Sequence, residues 1–254
     1  MKKQELEVKN QNQVAVTTEQ VLSDWGVEQI NTNDIVIPQI LTMQGMSDFV
    51  MEGKAMFGEF RDSVNGALIG SLDKPFEMIP FYIDKKWDVY HLQGDKFVWQ
   101  KSMPLIENPL APGYNDNLPW EDSFEGVKIK NVRRFNVFCL LPSEIAAGNS
   151  LPYYFSFKSS SMKEGKKLYT HMYVRNPRAK LTPASTVIKI AGVKTKNDDG
   201  TYIVPTIELG RAATDVEVAE CLNWLKVVKS SKVKLDAEVE VTQTAQSSDA
   251  EMSF

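Results

Sequence analysis

Apolar and polar residues alternate with a period of two along several short runs of the chain, and this alternation is typical of strands that bury one face. The clearest run is 76–83, where large apolar side chains dominate. The other runs are 35–41, 53–60, 87–90, 97–99, 128–141, 152–159, 186–196 and 202–207. Asn197-Asp198-Asp199-Gly200 separates the last two runs and predicts a hairpin turn. The pattern therefore predicts a mainly β fold of the α+β class, with its central runs arranged as a β-meander.

Two segments have the sequence features of helices, 159–173 and 214–229. The first begins with three serines, which favour a helix N-terminus, and the second has a continuous apolar stripe. In the first helix the spacing i, i+3, i+4 and i+7 places Lys163, Lys166, Lys167 and Thr170 on one face. Between the strands, residues 104–119 contain four prolines and predict a long loop, which is more often functional or disordered than a neutral spacer.

Both ends of the chain are polar, which predicts segments without a packed core of their own. We expect a mobile polar arm over residues 1–34, a β-rich core domain over 35–232 and a disordered acidic tail over 233–254. No run approaches the roughly eighteen apolar residues of a membrane-spanning helix, and no apolar stretch typical of a secretory signal follows the first lysines. Two cysteines, Cys139 and Cys221, are too few for a disulfide framework, so we expect a cytoplasmic protein, in the host cytoplasm if it is phage-encoded.

The distribution of charge matters more than its total. The formal net charge is −4, which taken alone argues against a protein that binds nucleic acid. Residues 151–196, however, carry ten basic side chains and a single acid, Glu164, between acidic flanks. The same stretch contains six tyrosine and phenylalanine rings. This asymmetry indicates a polyanion-binding patch, although the rings could equally be core and the lysines the solvated side of the same elements.

Single-stranded nucleic acid is bound by cations that neutralise phosphates and by rings that stack on bases. The candidate phosphate ligands are Lys158, Lys163, Lys166, Lys167, Arg175, Arg178 and Lys180, with Arg133 and Arg134 in addition. The candidate stacking rings are Tyr154, Tyr169, Trp87 and Trp99. Within the run 152–159 the odd-numbered residues share the face that we assign to the core, and the even-numbered ones, including Tyr154 and Lys158, share the face that we assign to the ligand.

The last six residues, Asp249-Ala250-Glu251-Met252-Ser253-Phe254, follow an aromatic and basic body. This combination resembles bacterial and phage single-stranded DNA-binding proteins. The segments IVIPQILTMQGMS, KPFEMIPFYI and YYFSFKSSSMKEGKKL also resemble a class of phage early proteins thought to bind single-stranded DNA. This tail departs from the bacterial pattern, because it is weakly acidic and has no proline near its end.

The resemblance implies an OB-like β-barrel elaborated with long insertions and two helices. It also implies sequence-independent binding of single-stranded DNA in replication, recombination or repair. Replication or recombination proteins would dock on the tail through Asp249, Glu251, Met252 and Phe254.

Two alternatives remain open. The first is a phage structural or adaptor protein whose basic patch contacts virion partners or packaged DNA. The second is a recombination annealing protein that binds strands as an oligomeric ring or filament, and the sequence leaves homo-oligomerisation open. An enzyme is not expected, because phosphate-binding glycine loops and a Gly-x-Ser-x-Gly elbow are missing from the sequence. The two histidines, His91 and His171, have no neighbour at metal-ligand spacing, so neither a metal site nor a cofactor is expected.

Overall fold

The computed structural model describes residues 36–197 and 200–230, together with the short strand Lys234–Leu235. The protein is mainly β, as the alternation predicts. The strands are β1 (Val36–Ile37), β2 (Gln39–Thr42), β3 (Phe60–Asp62), β4 (Leu68–Gly70), β5 (Phe76–Gln93), β6 (Lys96–Pro104), β7 (Glu121–Phe124), β8 (Val127–Leu140), β9 (Tyr153–Lys158), β10 (Thr186–Asn197), β11 (Gly200–Ala212) and β12 (Lys234–Leu235). The helices are α1 (Asp48–Met51), α2 (Pro142–Ala146), α3 (Met162–Thr170), α4 (Asn176–Arg178) and α5 (Asp215–Ser230).

One large sheet has the strand order β11-β10-β5-β8-β9-β2-β3-β4, with β6 added to β5 and β7 added to β8. All of its pairs are antiparallel except β2 with β9, which is parallel. The far halves of β5 and β8, together with β6 and β7, make a four-stranded extension in the order β6-β5-β8-β7, which we call the β-arm. Because the predicted runs 76–83 and 87–90 both pair with β8, they form one continuous strand, β5.

The sheet is covered on both faces. The first core lies between the sheet and α3, and its main members are Phe60, Phe76, Met78, Phe135, Phe155, Phe157, Leu168 and Met172. The second core lies under α5 on the opposite face, and its main members are Ile37, Ile79, Phe81, Phe138, Leu140, Tyr154, Val187 and Cys221. Two buried faces leave the central strands without a solvent side at this end of the sheet.

A β-bulge in β5 keeps its apolar residues on the correct faces. Pro80 is paired with Cys139 and Tyr82 with Phe138, so Phe81 is an extra residue in β5. Side chains alternate between the two faces of a sheet with a period of two. One extra residue in β5 therefore moves every side chain after it to the opposite face from the one it would otherwise occupy. Met78 before the bulge and Ile83 after it therefore both reach the first core.

Side chains occupy the outer edge of β11. The amide of Gln44 donates to the Ile203 carbonyl (3.0 Å) and accepts from the Ile203 N–H (2.8 Å). Ile207 is held in the same way, because Glu164 accepts from its N–H (3.1 Å) and Lys167 donates to its carbonyl (2.9 Å). Within the described strands, no ladder joins β11 to β4, so the sheet is curled but not closed.

The hairpin of β10 and β11 and the helix α5 confirm two of the predictions, and residues 105–120 form the predicted long loop. The first predicted helix extends further than expected. A turn of 3-10 helix (Ser159–Ser161) precedes α3, and a π-turn (His171–Arg175) joins α3 to α4. Pro177 has no N–H to donate, and the wider turn, in which the Asn176 N–H reaches the His171 carbonyl, carries the helix past it.

All of the predicted N-terminal arm and most of the predicted C-terminal tail lie outside the described residues. Lys234 and Leu235, placed in the predicted tail, instead form a parallel strand pair with Val36 and Ile37. Asp249, Glu251, Met252 and Phe254 lie outside the described part of the chain. None of the helices in the described part has the length and apolar character needed to cross a membrane.

Candidate nucleic-acid interface

A groove of about 460 Å³ lies between the N-terminal half of α3 with the 3-10 turn before it, the long loop, and the middle of β5 and β8. It brings together three of the residues predicted from sequence, Trp87, Arg133 and Lys166. Trp120 and Asp116 of the long loop complete its wall. A cavity of this size is comparable to sites that take small ligands.

Trp87 forms the floor of the groove and does not offer a stacking face. Its side chain is only 6% exposed, and its indole N–H donates to the Asn115 carbonyl (2.9 Å). The Arg133 guanidinium lies over the ring, 5.3 Å from its centroid. The prediction that Trp87 stacks on bases is therefore wrong, because the indole is buried and its N–H is already paired.

Arg133 and Arg134 are adjacent in β8 but point to opposite faces of the sheet. Arg133 is half-buried and forms an ion pair with Asp116, so part of its charge is already neutralised. Its Nε is buried and has no hydrogen-bond partner in the described structure. Arg133 therefore remains a candidate at the groove, although a phosphate would compete with Asp116.

Arg134 is not a phosphate ligand, which corrects the sequence prediction. It is buried and lies 3.2 Å from Asp88, a carboxylate that is 1% exposed. Ser102 joins this pair, since its hydroxyl donates to Asp88 (2.6 Å) and accepts from Arg134 (3.3 Å). Removing a charged partner from such a pair would leave an uncompensated buried charge.

The long loop is fixed to the sheet and forms a defined wall. The Asn115 side chain accepts from the Ile106 N–H (2.7 Å) and donates to the Pro104 carbonyl (2.9 Å), so it bridges the two ends of the loop. The Lys85 ammonium on β5 forms an ion pair with the Glu107 carboxylate of the loop at 2.7 Å. The loop therefore positions Asp116 and the residues that follow it beside β8.

The helical segment from Ser159 to Arg178 presents one basic side to solvent. Its buried positions are Ser161, Gly165, Leu168, Met172 and Asn176, which are spaced by three or four residues. Its exposed positions include Lys163, Lys166, Lys167, Thr170, Arg175 and Arg178, and exposed Lys180 follows α4. We call Lys163, Lys166, Lys167, Arg175 and Arg178 the basic helix face, and its exposure confirms the predicted amphipathic arrangement.

The cations of this face are not equally available. The Lys167 ammonium donates to the Ile207 carbonyl and forms an ion pair with the Glu164 carboxylate at 3.4 Å. Lys163 and Lys166 have no ion pair among the described residues, and Lys166 also lines the groove. Lys158 lies at the end of β9 and is exposed. Partial desolvation nevertheless lowers the pKa of its ammonium, and the nearby Asp88 carboxylate only partly offsets this by raising it. Lys163 and Lys166 are therefore the best placed to bind phosphate.

The other predicted rings do not line the groove. Tyr154 is fully buried in the second core and hydrogen-bonds Gln39 (3.1 Å), so its assignment to a ligand face is wrong. Tyr154 does alternate with the core residues of β9, but α5 covers the face that the alternation assigns to the ligand.

Tyr169 and Trp99 are both half-buried. The Lys85 ammonium lies 3.6 Å from the centroid of the Tyr169 ring, and Tyr173 packs against that ring as well. Trp99 lies on β6 opposite Tyr90, on the β-arm and away from the groove. The groove thus lacks the four aromatic stacking partners that the sequence suggested.

Trp120 is the aromatic residue that sequence reasoning missed. Its side chain is 46% exposed at the groove, and the Lys130 ammonium lies 4.6 Å from its ring centroid. The available signal was a lone tryptophan among polar residues just after the proline-rich loop. An exposed indole beside a lysine is suited to stacking on a base and binding its phosphate.

No cluster of three histidine, cysteine or acidic side chains in the described ranges could hold a metal ion. Burial raises the pKa of the Cys139 and Cys221 thiols, and both thiols are free. A high thiol pKa disfavours the nucleophilic thiolate form.

In comparisons with known proteins, no family model matches this chain, and neither a curated protein nor a solved structure matches it.

Proposed function

We propose that this protein binds single-stranded DNA without sequence preference, in replication, recombination or repair. The observation that carries the proposal is the groove, where the exposed indole of Trp120 and the ammonium of Lys166 border one cavity. Lys163 directly follows the groove-lining Met162 on α3 and adds a second exposed positive charge. The proposal is a binding function with no catalytic step.

The preference for single strands follows from the exposed indole. A base can stack on Trp120 only if it is unstacked from its neighbours, which a duplex does not offer. Every base has an aromatic face, so stacking tolerates any sequence, and each stacked base contributes roughly 1–3 kcal/mol. Phosphate binding by lysines is also independent of sequence.

The curled sheet around the first core supports an OB-like barrel as the finer description of the fold. In that description the Gln44, Glu164 and Lys167 side chains substitute for the missing ladder at β11. A cytoplasmic location fits two free, buried cysteines. Partner docking through Asp249, Glu251, Met252 and Phe254 is the part of the proposal that the resemblance alone supports.

The test is a binding assay with fluorescent oligonucleotides. Lys163→Glu/Lys166→Glu reverses two charges beside the groove, whereas Lys226→Glu reverses an exposed charge on α5, which covers the opposite face of the sheet. We expect the double variant to lose most of its affinity for an oligothymidine and the control to keep it. A duplex competitor of equal length should displace the oligothymidine poorly. Equal affinity of all three proteins, or a preference for the duplex, would reject the proposed function.

A further inference from the structure

The two edges of the β-arm carry opposite charges. Strand β6 contains Lys96 and Lys101 and no acid, and its residues are mostly exposed. The segment 121–127, which contains β7, carries Glu121, Asp122 and Glu125 and no base. Of the two strands between them, β5 carries both signs, whereas β8 carries four basic residues and no acid.

Both edges are open for pairing. In the described structure β6 is paired only with β5, and β7 only with β8. The hydrogen bonds of the described residues include no main-chain partner on the outer side of either strand. One local competitor is the Asp122 carboxylate, which accepts from the Ser123 N–H (2.7 Å) and would have to turn outward.

Apolar side chains accompany the charges at both edges. Phe97 and Val98 of β6 are exposed, and Phe124 of β7 is 64% exposed. Protein sheets usually protect long edges, because an open edge is a template for another strand. Here the charges protect selectively, since β6 repels a second β6 and β7 repels a second β7, whereas β6 and β7 attract.

We propose that the β-arm joins copies of this chain head to tail, with β7 of one copy beside β6 of the next. The strand directions favour this arrangement. Neighbouring strands of the β-arm alternate in direction. A second copy placed in the same orientation therefore presents its β6 antiparallel to β7 of the first copy, which continues the alternation of strand directions.

The existing register brings the charges within reach of each other. Tyr90 of β5 pairs with Trp99 on one side and with Lys130 on the other, and Lys130 pairs with Glu121. In an unstaggered repeat Glu121 would face Trp99 of the next copy, with Lys101 two residues away along β6. Diagonal neighbours in a sheet are close enough for long side chains to interact. Because the two surfaces in contact are different, the contact repeats into a ring or a filament.

This inference is independent of DNA binding and is tested on the full-length chain without DNA. Glu121→Lys/Asp122→Lys makes both edges of the β-arm positive, and Lys96→Glu/Lys101→Glu makes both edges negative. Sedimentation velocity at high micromolar concentration and low salt should show association of the wild type that weakens with added salt. Each double variant alone should sediment as a monomer, with the circular dichroism spectrum and thermal unfolding midpoint of the wild type.

The decisive measurement is an equimolar mixture of the two double variants. Every edge in this mixture meets an edge of opposite charge, so the mixture should regain the association that each variant has lost. The control Lys226→Glu should associate like the wild type. A monomeric wild type, unchanged association of the double variants, or a mixture that remains monomeric would each overturn the proposal.

Discussion

Gly165 determines how closely α3 approaches the sheet, and Gly165→Ala tests this. A Cβ atom at this position would lie 2.8 Å from Phe157 Cβ and 3.2 Å from its Cγ. Phe157 is fully buried and packs edge-on against Phe155 with ring centroids 5.0 Å apart, so it cannot retreat. Alanine gains about 1 kcal/mol over glycine in a helix interior, whereas overpacking a core costs typically 1–3 kcal/mol. The two values leave a net loss of about 0–2 kcal/mol, and because the clash is with a buried side chain next to the backbone, we expect a loss in the upper half of that range.

The measurement is the free energy of unfolding from urea denaturation. A matched control is Thr170→Ala, an exposed position on α3 whose hydroxyl donates to the Lys166 carbonyl (2.9 Å). This control should be neutral or stabilise by a few tenths of a kcal/mol, because it gains helix propensity without a clash. Outward movement of α3 would also shift Lys166 relative to Arg133, so Gly165→Ala should weaken DNA binding. If Gly165→Ala proves as stable as Thr170→Ala, the close approach of α3 to β9 is refuted.

Three further changes separate stability from binding. Arg134→Ala leaves Asp88 buried without its cation and should cost about 3–5 kcal/mol of unfolding free energy in urea denaturation, with little change in DNA affinity of the folded protein; an unchanged unfolding free energy would contradict the buried pair. Trp120→Ala should weaken single-strand binding by about 5- to 150-fold in fluorescence anisotropy, the equivalent of one stacked base, and unaltered affinity would reject stacking there. The hydrogen bond from Arg211 lowers the pKa of Glu217 to about 2 in the folded protein, whereas the pKa of an unfolded Glu is about 4.3. The pair therefore contributes its full stabilisation above about pH 4.3 and loses it as the pH falls toward 2. The difference in melting temperature between wild type and Glu217→Gln should therefore shrink over this interval, and a constant difference would exclude the pair as its source.

Local patterns in the sequence predicted the elements well, because alternation and helical spacing depend on neighbouring residues. Helix α5, the β10–β11 hairpin and the exposed lysines of α3 all follow from such patterns. The bulge at Phe81 could not be predicted, because it depends on which residues of β8 lie opposite β5. The extension of the helix past Pro177 depends on a π-turn, which has no reliable local signal.

The candidate site was less predictable, because it depends on which faces of the sheet other elements cover. Tyr154 has the alternation of a ligand-facing residue, but α5 packs on that face. Arg133 and Arg134 are indistinguishable by charge, and only the register of β8 assigns one to the groove and the other to Asp88. Trp120 enters the groove through the tertiary path of a long loop, which local periodicity does not encode.

The most direct test of the proposed interface is the salt dependence of oligothymidine binding. Each phosphate contact to a single strand contributes about −0.7 to the slope of log K against log[salt]. If Lys163 and Lys166 each bind a phosphate, Lys163→Ala/Lys166→Ala should reduce the magnitude of the slope by about 1.4, while Lys226→Ala should leave it unchanged. Parallel slopes for all three proteins, or no binding by the wild type at low salt, would contradict binding of single-stranded DNA at this groove.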